Sequence, residues 1–119
     1  HRDLHSFPTR RSSDQLELCF DYDLRQKLSQ IRPKYGFDET CQGSVPQAVI
    51  AFLESTDFED AIRNAISLGG DADTQACITG ALAEAHYKHI PDEIAEFVYK
   101  RLTPEIKTVL DQLRARTEN

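Results

Sequence analysis

Residues 61–87 read AIRNAISLGGDADTQACITGALAEAHY, two apolar-periodic runs broken by Gly69, Gly70 and an acidic turn. Ile62, Ala65, Ile66 and Leu68, with Phe58 just before them, recur at helical spacing and predict one core-facing stripe. Gly69 sits where a helix end wants a left-handed residue, which glycine supplies without a Cβ clash. A second helix is expected to begin at about Asp73 or Thr74. It is rich in small residues: Ala76, Thr79, Gly80, Ala83 and Ala85 would let a neighbouring helix approach closely, as in the interior of a helical protein.

The flanks extend the same pattern. Leu24, Leu28 and Ile31 in YDLRQKLSQI predict a helix that Pro33 stops. Ser44 is read as an N-cap with Pro46 in the first turn, ahead of Val45, Val49, Ile50, Phe52 and Leu53. That run is apolar on most sides, so its helix should be central. Thr56 and Glu59 have capping-box spacing before the 58–68 helix. Pro91 starts a helix with Ile94, Phe97 and Val98 inward, and Thr103–Pro104 starts the last, with Ile106, Val109, Leu110 and Leu113. The tail RARTEN is expected to fray. No alternating strand pattern of useful length occurs, so the fold class is all-α.

The chain has 119 residues, room for one ordinary domain, and a net charge of −6. Excess acid argues against nucleic acid or an anionic membrane surface as the main partner, since both need clustered Lys and Arg. No apolar run approaches the ~18 residues of a membrane span. Cys19, Cys41 and Cys77 are odd in number and lack metal-finger spacing, which suits a reduced cytoplasmic location.

Residues 1–14, HRDLHSFPTRRSSD, have no hydrophobic period and suit neither helix nor strand. They resemble a translated sequencing adapter, codon by codon. They are therefore expected to be non-native and disordered, the alternative being a natural basic arm. On this reading Arg10 and Arg11 are no phosphate patch, His1 and His5 are no metal ligands, and the chain proper is residues 15–119. A gene read from the end of a DNA fragment is also expected to be truncated.

Asp71 and Asp73 lie two apart, roughly 200° around a continuous helix. They can converge only where the backbone is not yet helical, a freedom Gly69 and Gly70 provide. The free N–H groups of the following helix would keep both carboxylates ionised. With the Thr74 hydroxyl they form an all-oxygen set of the kind hard Mg²⁺ or Mn²⁺ accepts. The plain alternative is a glycine stop followed by an Asp N-cap. An EF-hand is excluded, because the twelfth position counted from Asp71 is Leu82 rather than Glu.

These residues are similar to a known family. AIRNAISLGGDADTQACITGALAEAHY resembles the C-terminal metal motif of the ADP-ribosylglycohydrolases, which include the enzyme that reactivates dinitrogenase reductase. SVPQAVIAFLESTDFEDAI before it and IPDEIAEFVYKRL after it match the same region in order, so the resemblance spans roughly residues 35–102. It implies an all-α fold of which this chain is the C-terminal part. It implies two Mg²⁺ ions, or Mn²⁺, and cleavage of the bond joining ADP-ribose to a protein side chain or small acceptor. By resemblance Asp71, Asp73 and Thr74 are metal ligands, Gly70 allows close approach of a ligand to the backbone, and Ser44 lies where relatives line the ADP-ribose pocket. The family's other metal half, a Thr-Asp-Asp triplet with a further acidic residue, has no counterpart here, and FDYD at residues 20–23 is not that motif.

No catalytic residue is assigned. His86 and His89 suit the positive-charge preference of a helix C-terminus. Cys77 is expected to be a small buried side chain, and Glu84 and Glu93 are expected to be solvated. The competing function is a non-catalytic acidic helical interaction module whose Gly-Gly-Asp turn only caps a helix.

Overall fold

The computed structural model describes residues 9–117, and side chains from Asp14 onward. Within them the chain forms seven helices and no strand: α1 (Thr9–Phe20), α2 (Leu28–Ile31), α3 (Cys41–Leu53), α4 (Phe58–Ser67), α5 (Ala72–Tyr87), α6 (Asp92–Tyr99) and α7 (Pro104–Thr117). The chain divides into two compact units, one ending at His89 and one starting at Ile90.

In the first unit α3 is the central element, packed against α2, α4 and α5, with α4 and α5 also packed on each other. The core holds Leu24, Leu28, Ile31, Val49, Ile50, Phe52, Leu53, Phe58 and Leu68, with Ala48, Ala51, Ala61, Ala65 and Ala83 where helices meet. Burying each of the large side chains contributes about 1.5–3 kcal/mol. The small-residue stripe of α5 does bring a neighbour close: a Cβ on Gly80 would stand 3.1 Å from Ile62 Cδ1 on α4.

Helix ends differ from the sequence expectation in specific ways. The 22–31 helix shrinks to the four residues of α2, although Leu24, Leu28 and Ile31 are buried as expected. Side chains compete for its backbone: Glu17 Oε2 accepts from Leu24 N–H at 3.0 Å, and Glu54 Oε2 from Leu28 N–H at 2.7 Å. Helix α3 begins before Ser44. Its cap is Thr40, whose Oγ1 accepts from Gly43 N–H at 3.1 Å. Pro46 thus lies inside α3, where it lacks the N–H that would donate to the carbonyl of Gln42, an exposed residue. The α4 cap is shifted by one residue: Asp57 accepts from Asp60 N–H at 2.8 Å, and Asp60 Oδ2 accepts from Thr56 N–H at 3.0 Å. Helix α5 starts at Ala72, one or two residues early.

Residues 9–14, expected to lack regular structure, are helical as the first half of α1, continuous with the helix-favouring QLEL that follows. Residues 1–8 lie outside the described residues. In the second unit α6 and α7 bury no residue below the surface, and Phe97, Val98, Ile106, Val109 and Leu113 are half or more exposed rather than inward. Two short helices alone can cover only one narrow stripe of each other. Tyr99 Oη ties them, donating to the Asp111 carboxylate at 2.9 Å, and Thr103 Oγ1 caps α7 by accepting from Ile106 N–H at 3.3 Å. Residues 114–117 of the tail expected to fray are helical, because α7 continues to Thr117 with Arg114 and Arg116 favourably placed at its negative end, and residues 118–119 lie outside the described residues.

Candidate functional site

The turn between α4 and α5 is built by two consecutive left-handed glycines, Gly69 at φ +75° and Gly70 at φ +65°. Leu68, buried at the end of α4, anchors one side, and Gln75, buried in the first turn of α5, anchors the other. Gln75 N–H donates to the Asp71 carbonyl at 3.0 Å, the first helical bond of α5. Asp71 is therefore the N-cap residue, Asp73 and Thr74 lie within the first turn, and all three are open to solvent in part or fully.

Asp71 occupies the capping position, yet its side chain makes no cap hydrogen bond. Asp73 Oδ1 accepts from the adjacent Thr74 N–H, at 2.9 Å. The Asp71 carboxyl is the first cause that holds Asp73 below the usual carboxylate range, with the Thr74 amide second. The backbone of Asp71 itself is non-helical, at φ −81° and ψ 70°. Among the described residues no group of three or more His, Cys, Asp or Glu is placed to hold a metal. What is assembled is two carboxylates with one hydroxyl-bearing neighbour.

Gly70 packs closely against another part of this chain. The space its missing Cβ leaves is filled by this chain, with Gly36 O and Tyr35 Cε2 at 2.7 and 2.9 Å from the position a Cβ would take. Ser44 is buried inside α3 and its Oγ donates to the Thr40 carbonyl at 2.5 Å. It is not a cap. Its neighbour Gly43 is nonetheless linked to α5: Tyr35 Oη donates to Gly43 O at 2.5 Å and accepts from Gln75 Nε2 at 2.7 Å. Burial, the nearby Asp38 charge and the more distant Asp71 charge together push the Tyr35 phenol above its ordinary pKa, against the bond from Gln75.

Tyr35, Asp38 and Gln75 were not singled out by sequence. Tyr35 and Asp38 lie in a segment legible only as loop, and Gln75 sits on a helix whose pattern advertises small residues. One signal existed, the four-residue spacing of Gln75, Thr79 and Ala83, all fully buried.

The remaining candidates fall elsewhere. Cys77 is exposed, contrary to expectation, because it lies about 200° around α5 from the buried Gln75. His86 packs edge-on against Phe52 at 5.4 Å and Tyr87 at 5.0 Å, and His89 is exposed. Lys88 ends α5 in a left-handed conformation at φ +59°.

A helical unit presenting an acidic Gly-Gly-Asp turn at the head of a buried small-residue helix defines a recognisable class. The ADP-ribosylglycohydrolase family model matches residues 6–119, and the chain belongs to that family. A protein of Acanthamoeba polyphaga mimivirus, named only provisionally as an ADP-ribosyl glycohydrolase, is 42% identical over 78 residues. That alignment covers 60% of this chain and 22% of the mimivirus protein. An uncharacterised protein of Archaeoglobus fulgidus is 36% identical over 73 residues, covering 60% of this chain and 24% of its own length. The chain thus spans less than a quarter of the length of the curated relatives it matches. No solved structure gives a significant match.

Proposed function

We propose that this chain contributes to magnesium-dependent hydrolysis of the glycosidic bond joining ADP-ribose to a protein side chain or small acceptor. In this reading Asp71, Asp73 and Thr74 are its cation ligands. The observation that carries it is the state of Asp71, an N-cap residue whose side chain makes no cap hydrogen bond and stands first among the causes that lower the Asp73 pKa. A plain capping aspartate would be engaged with the amides of the first turn. The donor set fits a hard cation, being all oxygen and bearing two negative charges. Mn²⁺ fits the same set.

Three donors fall short of the about six oxygens that Mg²⁺ takes. We therefore infer that the chain supplies one face of a dinuclear site, the C-terminal half. When bound, the cations supply charge stabilisation at the glycosidic carbon and a fixed template for ribose hydroxyls and water. The chain's own residues hold two carboxylates at the mouth of α5, on a turn fixed by two left-handed glycines. Ser44 in a substrate pocket remains part of this proposal through Gly43, not through its own hydroxyl, which is committed to Thr40. The substrate is an ADP-ribosylated protein or ADP-ribose derivative. Three free, exposed cysteines suit a cytoplasmic setting, and among the described residues no helix is long and apolar enough to cross a membrane.

The test is magnesium-dependent release of ADP-ribose from an ADP-ribosylated protein. The chain alone is expected to release none. The longest product of the gene that contains this sequence should release it with magnesium, and both a chelator and Asp71→Asn should abolish release. Hydrolysis that persists in Asp71→Asn would refute the assignment and favour the non-catalytic interaction module.

A further inference from the structure

Residues 32–40 form a strap laid across the glycine turn. At one end Arg32 Nε and Nη2 donate to Ser67 Oγ on the last residue of α4, at 3.1 and 2.9 Å. In the middle, Gly36 and the Tyr35 ring occupy the space beside Gly70. Tyr35 Oη then bridges α3 and α5 through Gly43 O and Gln75 Nε2. Gln75 in turn holds the Asp71 carbonyl with its own N–H at 3.0 Å. A continuous chain of contacts runs from the strap to the backbone of the carboxylate turn.

Gln75 is an unexpected residue for its place. It is fully buried, and its Oε1 has no hydrogen-bond partner among the described residues. A half-satisfied buried amide is a poor choice for stability where a leucine could pack. Its side-chain amide donates to Tyr35, and its position is one turn from Asp71.

We propose that Tyr35 and Gln75 are positioning residues that fix the direction of the Asp71 and Asp73 carboxylates toward a shared cation. This rests on the reading of those carboxylates as ligands. Partners one step behind a metal ligand commonly set affinity by 10–100-fold without touching the ion.

The experiment uses the whole chain in three forms, wild type, Gln75→Leu and Tyr35→Phe, with Mn²⁺ as the probe. Paramagnetic broadening of the residue 70–75 amide resonances reports affinity. Hydrogen exchange at residues 69–74, measured without metal, reports the turn itself. Gln75→Leu should stay close to the wild-type melting temperature, because removing the unpartnered Oε1 offsets the lost Nε2 bond to Tyr35, yet need about tenfold more Mn²⁺ for half-broadening. Turn amides should exchange faster in both variants while those of residues 48–53 are unchanged. If Tyr35→Phe does not fold, Gln75→Leu alone decides the outcome. Unchanged turn exchange overturns the proposal. Faster exchange with unaltered Mn²⁺ affinity also overturns it, leaving a structural brace. A wild-type chain that shows no selective broadening at residues 70–75 overturns the cation reading, and the proposal with it.

Discussion

Gly70 lies against Gly36 so closely that a Cβ on Gly70 would stand 2.7 Å from the Gly36 carbonyl oxygen. Gly69, its neighbour, has nothing within 4 Å of the same position. Both glycines have positive φ, so alanine at either costs about 1–2 kcal/mol of backbone strain. Only Gly70→Ala must also move a backbone carbonyl, which adds roughly 1–3 kcal/mol. Denaturant unfolding should therefore rank Gly70→Ala below Gly69→Ala. Equal losses would mean that the strap does not press on the turn.

Thr79 Oγ1 donates to the Ala48 carbonyl at 2.9 Å, joining α5 to α3 in the fully buried interior. Thr79→Val preserves shape and removes that bond. The expected loss is about 1 kcal/mol, since the Ala48 carbonyl keeps its helical donor. Chemical denaturation at neutral pH measures it.

Gly80 tests how tightly α4 and α5 meet. Gly80→Ala gains up to about 1 kcal/mol of helix propensity. Against this, its Cβ would lie 3.1 Å from Ile62 Cδ1, the movable end of a flexible side chain. A change within about 1 kcal/mol of wild type is expected. Gly80→Leu cannot be accommodated this way and should destabilise strongly, as read by its melting temperature.

Asp38 gives the pH dependence. Its carboxylate accepts from Thr40 Oγ1 at 2.6 Å and Thr40 N–H at 2.8 Å, and these bonds hold its pKa below the ordinary range. A depressed folded pKa means the stabilisation is present above the unfolded value, near 3.9, and is lost as pH falls through the folded value. In Asp38→Asn the drop in melting temperature below about pH 4 should be shallower than in wild type. An unchanged acid limb would show that these bonds are absent in solution.

Periodicity made the main helices legible, because α3, α4 and α5 each bury a stripe that recurs at helical spacing, although Ile66, expected in the α4 stripe, is 51% exposed. The glycine turn was legible too, since Gly69 needs a conformation few other residues tolerate. Helix starts were less so. Thr40 and Asp57 displaced Ser44 and Thr56 as caps through side-chain geometry that several nearby oxygens could have provided. Phe97 and Ile106 carry an inward-looking pattern that α6 and α7 by themselves do not bury. At the site, the acidic pair was visible as residue types, and the glycines before it as the reason the backbone is still non-helical at Asp71. The Tyr35–Gln75 link was not visible, because it joins residues 40 apart in sequence through one phenol oxygen.

The central claim is that Asp71 and Asp73 serve a cation rather than the helix. Manganese titration of wild type, Asp71→Asn and Asp73→Asn, followed by amide broadening together with thermal unfolding in the absence of metal, tests it most directly. Asn caps a helix about as well as Asp, so both variants should melt close to the wild-type temperature. Wild type should show broadening confined to residues 70–75, and both variants should lose it. Wild-type-like broadening in Asp73→Asn, or a large drop in metal-free stability in either variant, would contradict the claim and return the turn to a glycine stop followed by a cap.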